Sequence, residues 1–249
     1  MNQKNSSYKI LDIQTGDVNG NNISDTVYLI GEKNQNPFYE NINLVIQDGR
    51  TKILYTIPLF PQYDMGYDPF IILADFKNNR IKDIFVSLPV GGSGALTYYY
   101  VISFENNLIR YILKPDEFIH LSKQLGFEVI YRDYYKVDIV SSRLNKTITL
   151  DVSDRKDYYE GMVYDSDGKL IKPLKGFIID QPHLFPLKLN GNEPYVLNAQ
   201  QDIAGTSHAD GLGYLSSNWI YKGPQSGWVL NPDSVSVIEY FHNTGPTNL

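Results

Sequence analysis

Apolar and β-branched residues gather in short runs, at 28–30, 42–46, 53–57, 70–73, 84–88 and 97–104, with clusters of Gly, Asn, Asp and Pro between them. Runs of this length, punctuated about every ten residues, predict short strands and an all-β fold of the sandwich, barrel or propeller kind. Twenty tyrosines fit that picture, because the ring suits a pleated, half-buried surface while its hydroxyl reaches water or a backbone partner. In the run Tyr98-Tyr99-Tyr100, neighbouring side chains on a strand must point to opposite faces, so at least one ring is turned away from the others. One stretch reads as helix instead. Pro115 stands at a first-turn position, Asp116 and Glu117 lie near the N-terminus, Phe118, Leu121 and Leu125 share a face, and Gly126 is a stop signal. A single short helix over 115–126, covering a sheet edge, is therefore expected.

The strand pattern repeats. From Asp17 the chain runs through a polar loop to Asp25, a strand, a polar tip at 34–36, the strand at 42–46, the turn Gln47-Asp48-Gly49-Arg50 and the strand at 53–57. From Asp75 the same plan recurs, with a loop to Asp83, a strand, the tip Gly91-Gly92-Ser93-Gly94, the strand at 97–104 and a turn at 105–107. Each unit holds about four strands, the content of one propeller blade. Further units can be drawn through the hairpin around 141–145, the turn Ser166-Asp167-Gly168 and the segment 189–197. The expectation is a single repeat-built β domain, a propeller-like array of about four blades over 8–58, 66–112, 128–172 and 177–242.

The loops carry the most specific chemistry. Asp17, Asn19, Asn21, Ile23 and Asp25 occupy positions one, three, five, seven and nine of one loop, offering four side-chain oxygens and the Ile23 carbonyl. A hard divalent cation needs six or more oxygens at once, so this series predicts calcium, with Asp12 of the preceding strand as a further ligand. The bland alternative is a turn rich in Asn and Asp, held by side-chain to backbone hydrogen bonds. An EF-hand does not fit, since Tyr28 stands where the bidentate Glu belongs and the flanks are strands. The second loop is a weaker copy: Asp75, Asn79 and Asp83 keep their places, but Lys77 brings a positive charge where an oxygen is needed. Its ammonium can replace the ion by pairing with Asp75 or Asp83.

Charge and composition narrow the partners. The 22 Lys and Arg against 28 Asp and Glu leave a net charge of −6, opposite to what phosphate neutralisation on nucleic acid requires. Without cysteine there is no disulfide, thiolate nucleophile or thiolate-bound zinc. The polar start Met1 to Ser7 shows no signal peptide and no run long enough to span a membrane, so a cytoplasmic location is expected.

The stretch Gly16-Asp17-Val18-Asn19-Gly20-Asn21-Asn22-Ile23-Ser24-Asp25 followed by Val27-Tyr28-Leu29 resembles the FG-GAP or VCBS-type repeat of integrin α-chain propellers and many bacterial proteins. Ala74-Asp75-Phe76-Lys77-Asn78-Asn79-Arg80-Ile81-Lys82-Asp83-Ile84-Phe85-Val86 is similar to a second copy. The chain as a whole resembles repeat proteins of spore-forming bacteria. This resemblance implies calcium in loops at blade edges and a binding or scaffolding role.

Other constellations are less specific. Ser93 among glycines has the look of a nucleophile, but it leads into a strand instead of a helix, which favours a flexible tip. His208 and Asp210 are two residues apart and would share a face on a strand, as a base and its orienting partner or as part of a polar turn. Trp219 and Trp228 read as core rings, with stacking on carbohydrate or peptide as the sharper alternative. The functional expectation is a calcium-stabilised, non-catalytic binder or scaffold for an unknown protein or glycan. The alternatives are a hydrolase with an acidic cleft, using His208 with carboxylates such as Asp210 or Glu160, and a structural component of a spore or envelope layer.

Overall fold

The computed structural model of the protein describes residues 8–92, 96–191 and 193–240. It is all-β with two short helices. Strands β1 (Tyr8–Gly16), β2 (Asp25–Glu32), β3 (Glu40–Gln47) and β4 (Leu54–Pro58) form a four-stranded sheet in that order, each antiparallel to the next. Strands β5 (Phe70–Ala74), β6 (Asp83–Gly91), β7 (Leu96–Ser103) and β8 (Arg110–Leu113) repeat the arrangement. Gly16 closes β1 opposite Asp25 and Ala74 closes β5 opposite Asp83, so both loops leave and re-enter their sheets at matching positions.

Period-two alternation builds the core of these sheets. Val27 and Leu29 of β2, Ile42, Leu44 and Ile46 of β3, Ile84, Val86 and Leu88 of β6, and Tyr100 and Ile102 of β7 are buried in one cluster. Strand β6 is buried on both faces over Asp83–Leu88, and its other face puts Phe85 against Tyr99 with ring centres 5.7 Å apart. The tyrosine run divides accordingly. Tyr98 meets Tyr63 and Tyr100 meets Phe60 on the core side, while Tyr99 faces away with Phe85.

The helix α1 (Glu117–Lys123) is shorter than the expected 115–126 but uses the expected face, with Phe118 and Leu125 buried and Gly126 at φ +60° just beyond it. After it come β9 (Phe127–Arg132), β10 (Lys136–Ser141), β11 (Lys146–Asp151), the one-turn helix α2 (Lys156–Tyr159), β12 (Lys175–Ile178), β13 (His183–Leu187), β14 (Val196–Ala204), β15 (Gly211–Tyr221) and β16 (Trp228–Glu239). Here the structure departs from the expected four units. Strands assigned to 128–172 and 177–242 join one eight-stranded sheet, ordered β11-β10-β9-β12-β14-β15-β16 with β13 also on β14. The short strand β12 causes this, because it pairs β9 on one side and β14 on the other.

The chain divides into two compact units. One comprises residues up to Phe118 with Leu184–Asn198 and Trp219–Leu230; the other comprises Ile119–His183, Ala199–Asn218 and the residues from Asn231 on. In the first, Trp228 donates its indole N–H to the Ile112 carbonyl at 2.7 Å and lies edge-on to Phe76. Trp219 is likewise buried, against Phe118. Both tryptophans are core rings and offer no open face for stacking on a ligand.

Leu44 is fully buried in the first core, and truncating such a side chain removes transfer energy and leaves a cavity. Leu44→Ala is expected to lower the unfolding free energy by about 3 kcal/mol in a urea titration, with the exposed Leu54→Ala within about 0.5 kcal/mol of the parent.

Candidate functional site

The two loops share one internal scaffold. In the first, Asn22 N–H donates to Asp17 Oδ2 at 2.8 Å, Ile23 N–H to Asn21 Oδ1 at 2.8 Å and Val18 N–H to Asp25 Oδ2 at 3.0 Å. In the second, Arg80 N–H donates to Asp75 Oδ2 at 2.7 Å, Ile81 N–H to Asn79 Oδ1 at 3.1 Å and Phe76 N–H to Asp83 Oδ2 at 3.4 Å. The left-handed positions match too, Gly20 and Asn22 at φ +85° and +62° against Asn78 and Arg80 at +57° and +69°. Short Asx side chains bond their own backbone two to five residues on, and that is what allows the chain to reverse so tightly.

The scaffolds differ at the buried end. Asp25 and Asp83 each begin the second strand of their sheet with no exposure to solvent. Asp25 Oδ1 accepts the Gly49 N–H at 2.8 Å from the turn after β3, and Asn19 Nδ2 braces the same turn by donating to Asp48 Oδ2 at 3.0 Å. In the second loop Lys77 stands where Asn19 stands in the first. Its Nζ lies 3.1 Å from Asp83 Oδ1, 3.0 Å from Glu105 Oε2 and 2.6 Å from Ser103 Oγ. The ammonium therefore faces Asp83 Oδ1 as an ion pair, where the turn amide gives Asp25 Oδ1 a hydrogen bond. Asp83 is pushed up to about 6 by burial, with Lys77 pulling the other way.

As a donor set the first loop fits a hard cation. Its Asp and Asn side chains carry hard oxygens, and each backbone amide that Asp17, Asn19, Asn21 or Asp25 accepts occupies one site on an oxygen able to take more. Among the described residues no three or more His, Cys, Asp or Glu side chains are grouped to hold a metal, so an ion there would rely on the asparagines and the Ile23 carbonyl. Asp12 is engaged elsewhere. Its oxygens accept the Ile13 N–H at 2.7 Å and the Ile71 N–H at 2.8 Å, tying β1 to β5.

His208 and Asp210 do not form a pair. Gly205 and Thr206 close a turn on Asp210, through the Gly205 N–H to the Asp210 carbonyl at 2.7 Å and the Thr206 N–H to Oδ2 at 2.7 Å. The Asp210 carboxylate also takes the Tyr159 hydroxyl at 2.8 Å and the Arg155 guanidinium at 3.1 Å, with the Tyr131 hydroxyl 3.4 Å away. Burial raises the Tyr131 and Tyr159 hydroxyls well above the ordinary tyrosine range, which keeps both neutral donors. His208 is exposed, its ring edge-on to Phe177 at 4.8 Å. Glu160 pairs with Lys156 at 3.5 Å. Ser93 and Asn192 lie outside the described residues.

Sequence reasoning missed Gly49, Asn107, Arg155, Tyr131 and Tyr159. Asn107 accepts from Asn19 across 88 residues, and Tyr131 meets Asp210 across 79, separations at which no local spacing carries a signal. Gly49 alone had one, as the glycine of an Asp-Gly turn.

These features define an all-β protein with two matched Asx loops in its first unit and a buried carboxylate cluster in its second. A family model, the YybI C-terminal domain, matches residues 125–236. The chain is 34% identical over 234 residues to a Bacillus subtilis (strain 168) protein named "Uncharacterized protein YybI", covering 94% of this chain and 87% of that relative. The chain belongs to the YybI family. No solved structure matches it.

The sign of the Asp83 contribution follows from its raised value. A carboxyl whose folded value lies above its unfolded one adds stability at low pH and loses it as pH rises through about 6. Lys77→Met leaves that carboxylate buried without its counter-ion and is expected to cost about 3 kcal/mol at pH 7.5. At pH 4.5, where Asp83 is protonated, the loss should fall below about 1 kcal/mol. Urea titrations at the two pH values check this, and an equal loss at both would refute the assignment.

Proposed function

We propose that this protein is a non-catalytic binding or scaffolding protein whose first two sheets are blade-like repeats of the FG-GAP or VCBS kind, the first stabilised by calcium. The observation that carries the reading is the matched pair of loops, alike in hydrogen bonds and left-handed positions 58 residues apart, one rich in oxygens and the other holding the Lys77 ammonium. Asp17, Asn19, Asn21 and Asp25 would hold the ion with the Ile23 carbonyl. A bound cation neutralises two carboxylates within nine residues, and binding confined to the folded state adds directly to stability. The second copy needs no ion, because its ammonium already balances Asp83.

The hydrolase alternative gains no support from His208, whose ring lies on Phe177 while every donor on Asp210 is structural. No helix among the described residues is long and apolar enough to cross a membrane.

Calcium at 1 mM is expected to raise the melting temperature by about 2–4 °C, and excess EDTA to return it to the metal-free value. Asp17→Asn, which removes one carboxylate and keeps an acceptor, should abolish the calcium response; a parent protein whose melting ignores both calcium and EDTA sinks the metal assignment.

A further inference from the structure

On the outer side of the second loop lies a polar cavity of about 550 Å3, bordered by Asn78, Arg80 and Lys82 of the loop and by Lys188 and Tyr195 of the segment before β14. The two segments are tied together by the Tyr195 N–H, which donates to the Asp75 carbonyl at 2.9 Å, and Tyr195 packs edge-on to the buried Phe76. The Lys82 and Lys188 ammonium groups lie 6.0 and 5.7 Å from the centre of the Tyr195 ring. The ring thus offers a π face to each of two ammonium groups.

Arg80 completes the cationic set. It sits at φ +69°, a conformation that costs an L-residue about 1 kcal/mol, and Asp75 Oδ2 holds its amide there. Among the described residues none of Arg80, Lys82 and Lys188 has a carboxylate within ion-pair distance. The cavity also holds two acids, Asp75, which accepts the Asn79 and Arg80 amides, and Glu193, which accepts from Asn190 Nδ2 at 3.0 Å; neither is ion-paired to these cations, and both keep their charge. Three cations and two carboxylates thus border one cavity, which leaves it with a single net positive charge in a chain of net charge −6.

We propose that this cavity is a receptor for a hydrophilic polyanion bearing two or more phosphate groups. The lining is polar, which excludes an apolar ligand body, and the volume exceeds what one phosphate fills. A planar guanidinium matches two phosphate oxygens at once, while the two lysines act as point charges on a neighbouring group. The same chemistry could be presented by a free oligophosphate or by a phosphodiester-linked polyol polymer. This inference rests on the reading of the protein as a binder and names a ligand class for it.

Calorimetric titration of the full chain in calcium-free buffer with 50 mM NaCl tests it, with tripolyphosphate, a glycerol phosphate oligomer and citrate as probes. Tripolyphosphate or the oligomer should bind with a sub-millimolar Kd that weakens as salt is raised, and whichever binds more tightly identifies the source. The exposed substitutions Arg80→Gln and Lys188→Gln should each weaken binding about tenfold and leave the melting temperature unchanged, with Lys172→Gln as an unaffected control. Absence of binding to both phosphate probes overturns the proposal, as does binding that the cavity substitutions leave intact or citrate binding as tight as theirs. A negative titration beside a retained calcium response in melting removes this ligand and leaves the calcium-stabilised binder standing. A lost calcium response beside positive titration does the reverse.

Discussion

The constraint on which the first unit depends is the burial of one carboxylate at the start of the second strand of each sheet. Asp25 and Asp83 have no contact with solvent, and a carboxylate in that position is tolerated only where donors meet it. The loop before the strand bends back to bring one donor, the amide of Val18 or of Phe76. The second donor decides how each sheet is tied. In the first it is the Gly49 amide, so loop and turn are joined around Asp25, and a Cβ on Gly49 would stand 2.0 Å from the Ser24 carbonyl oxygen. In the second it is Lys77, which leaves the turn after β7 joined through Glu105.

Much of this was readable from residue order. The alternation over β2, β3, β6 and β7 marks the core face because its period is that of a strand, and the Asx series marks both loops because their ends fall on strand boundaries. Even the partner of Lys77 was within reach, since a lysine inside an acidic loop has few places to put its charge. Past residue 127 the local signal no longer determines the pairing. Strand β12 spans four residues, and nothing in Lys175–Ile178 says that it will lie between strands from opposite sides of it in sequence.

The second unit solves a similar burial problem with different chemistry. Around Asp210 the donors are two neutral tyrosine hydroxyls, one guanidinium and the amide and hydroxyl of Thr206, drawn from three separate segments. The two-residue spacing of His208 and Asp210 suggested a shared face, but a tight turn separates them and sends one outward and the other inward. Gly205 shows how closely the cluster is filled, because a side chain there would meet the Tyr131 hydroxyl at 2.2 Å and Asp210 Oδ2 at 2.3 Å. An arrangement this saturated rigidifies a fold.

Lys146 opens β11, at one end of the eight-stranded sheet, and its ammonium donates to the Val235 carbonyl at 2.6 Å on β16, the strand at the other end. Sheet margins with vacant main-chain acceptors recruit strands from foreign chains, and a cationic cap on one of them blocks that templating. One lysine thereby ties the two margins of the sheet to each other.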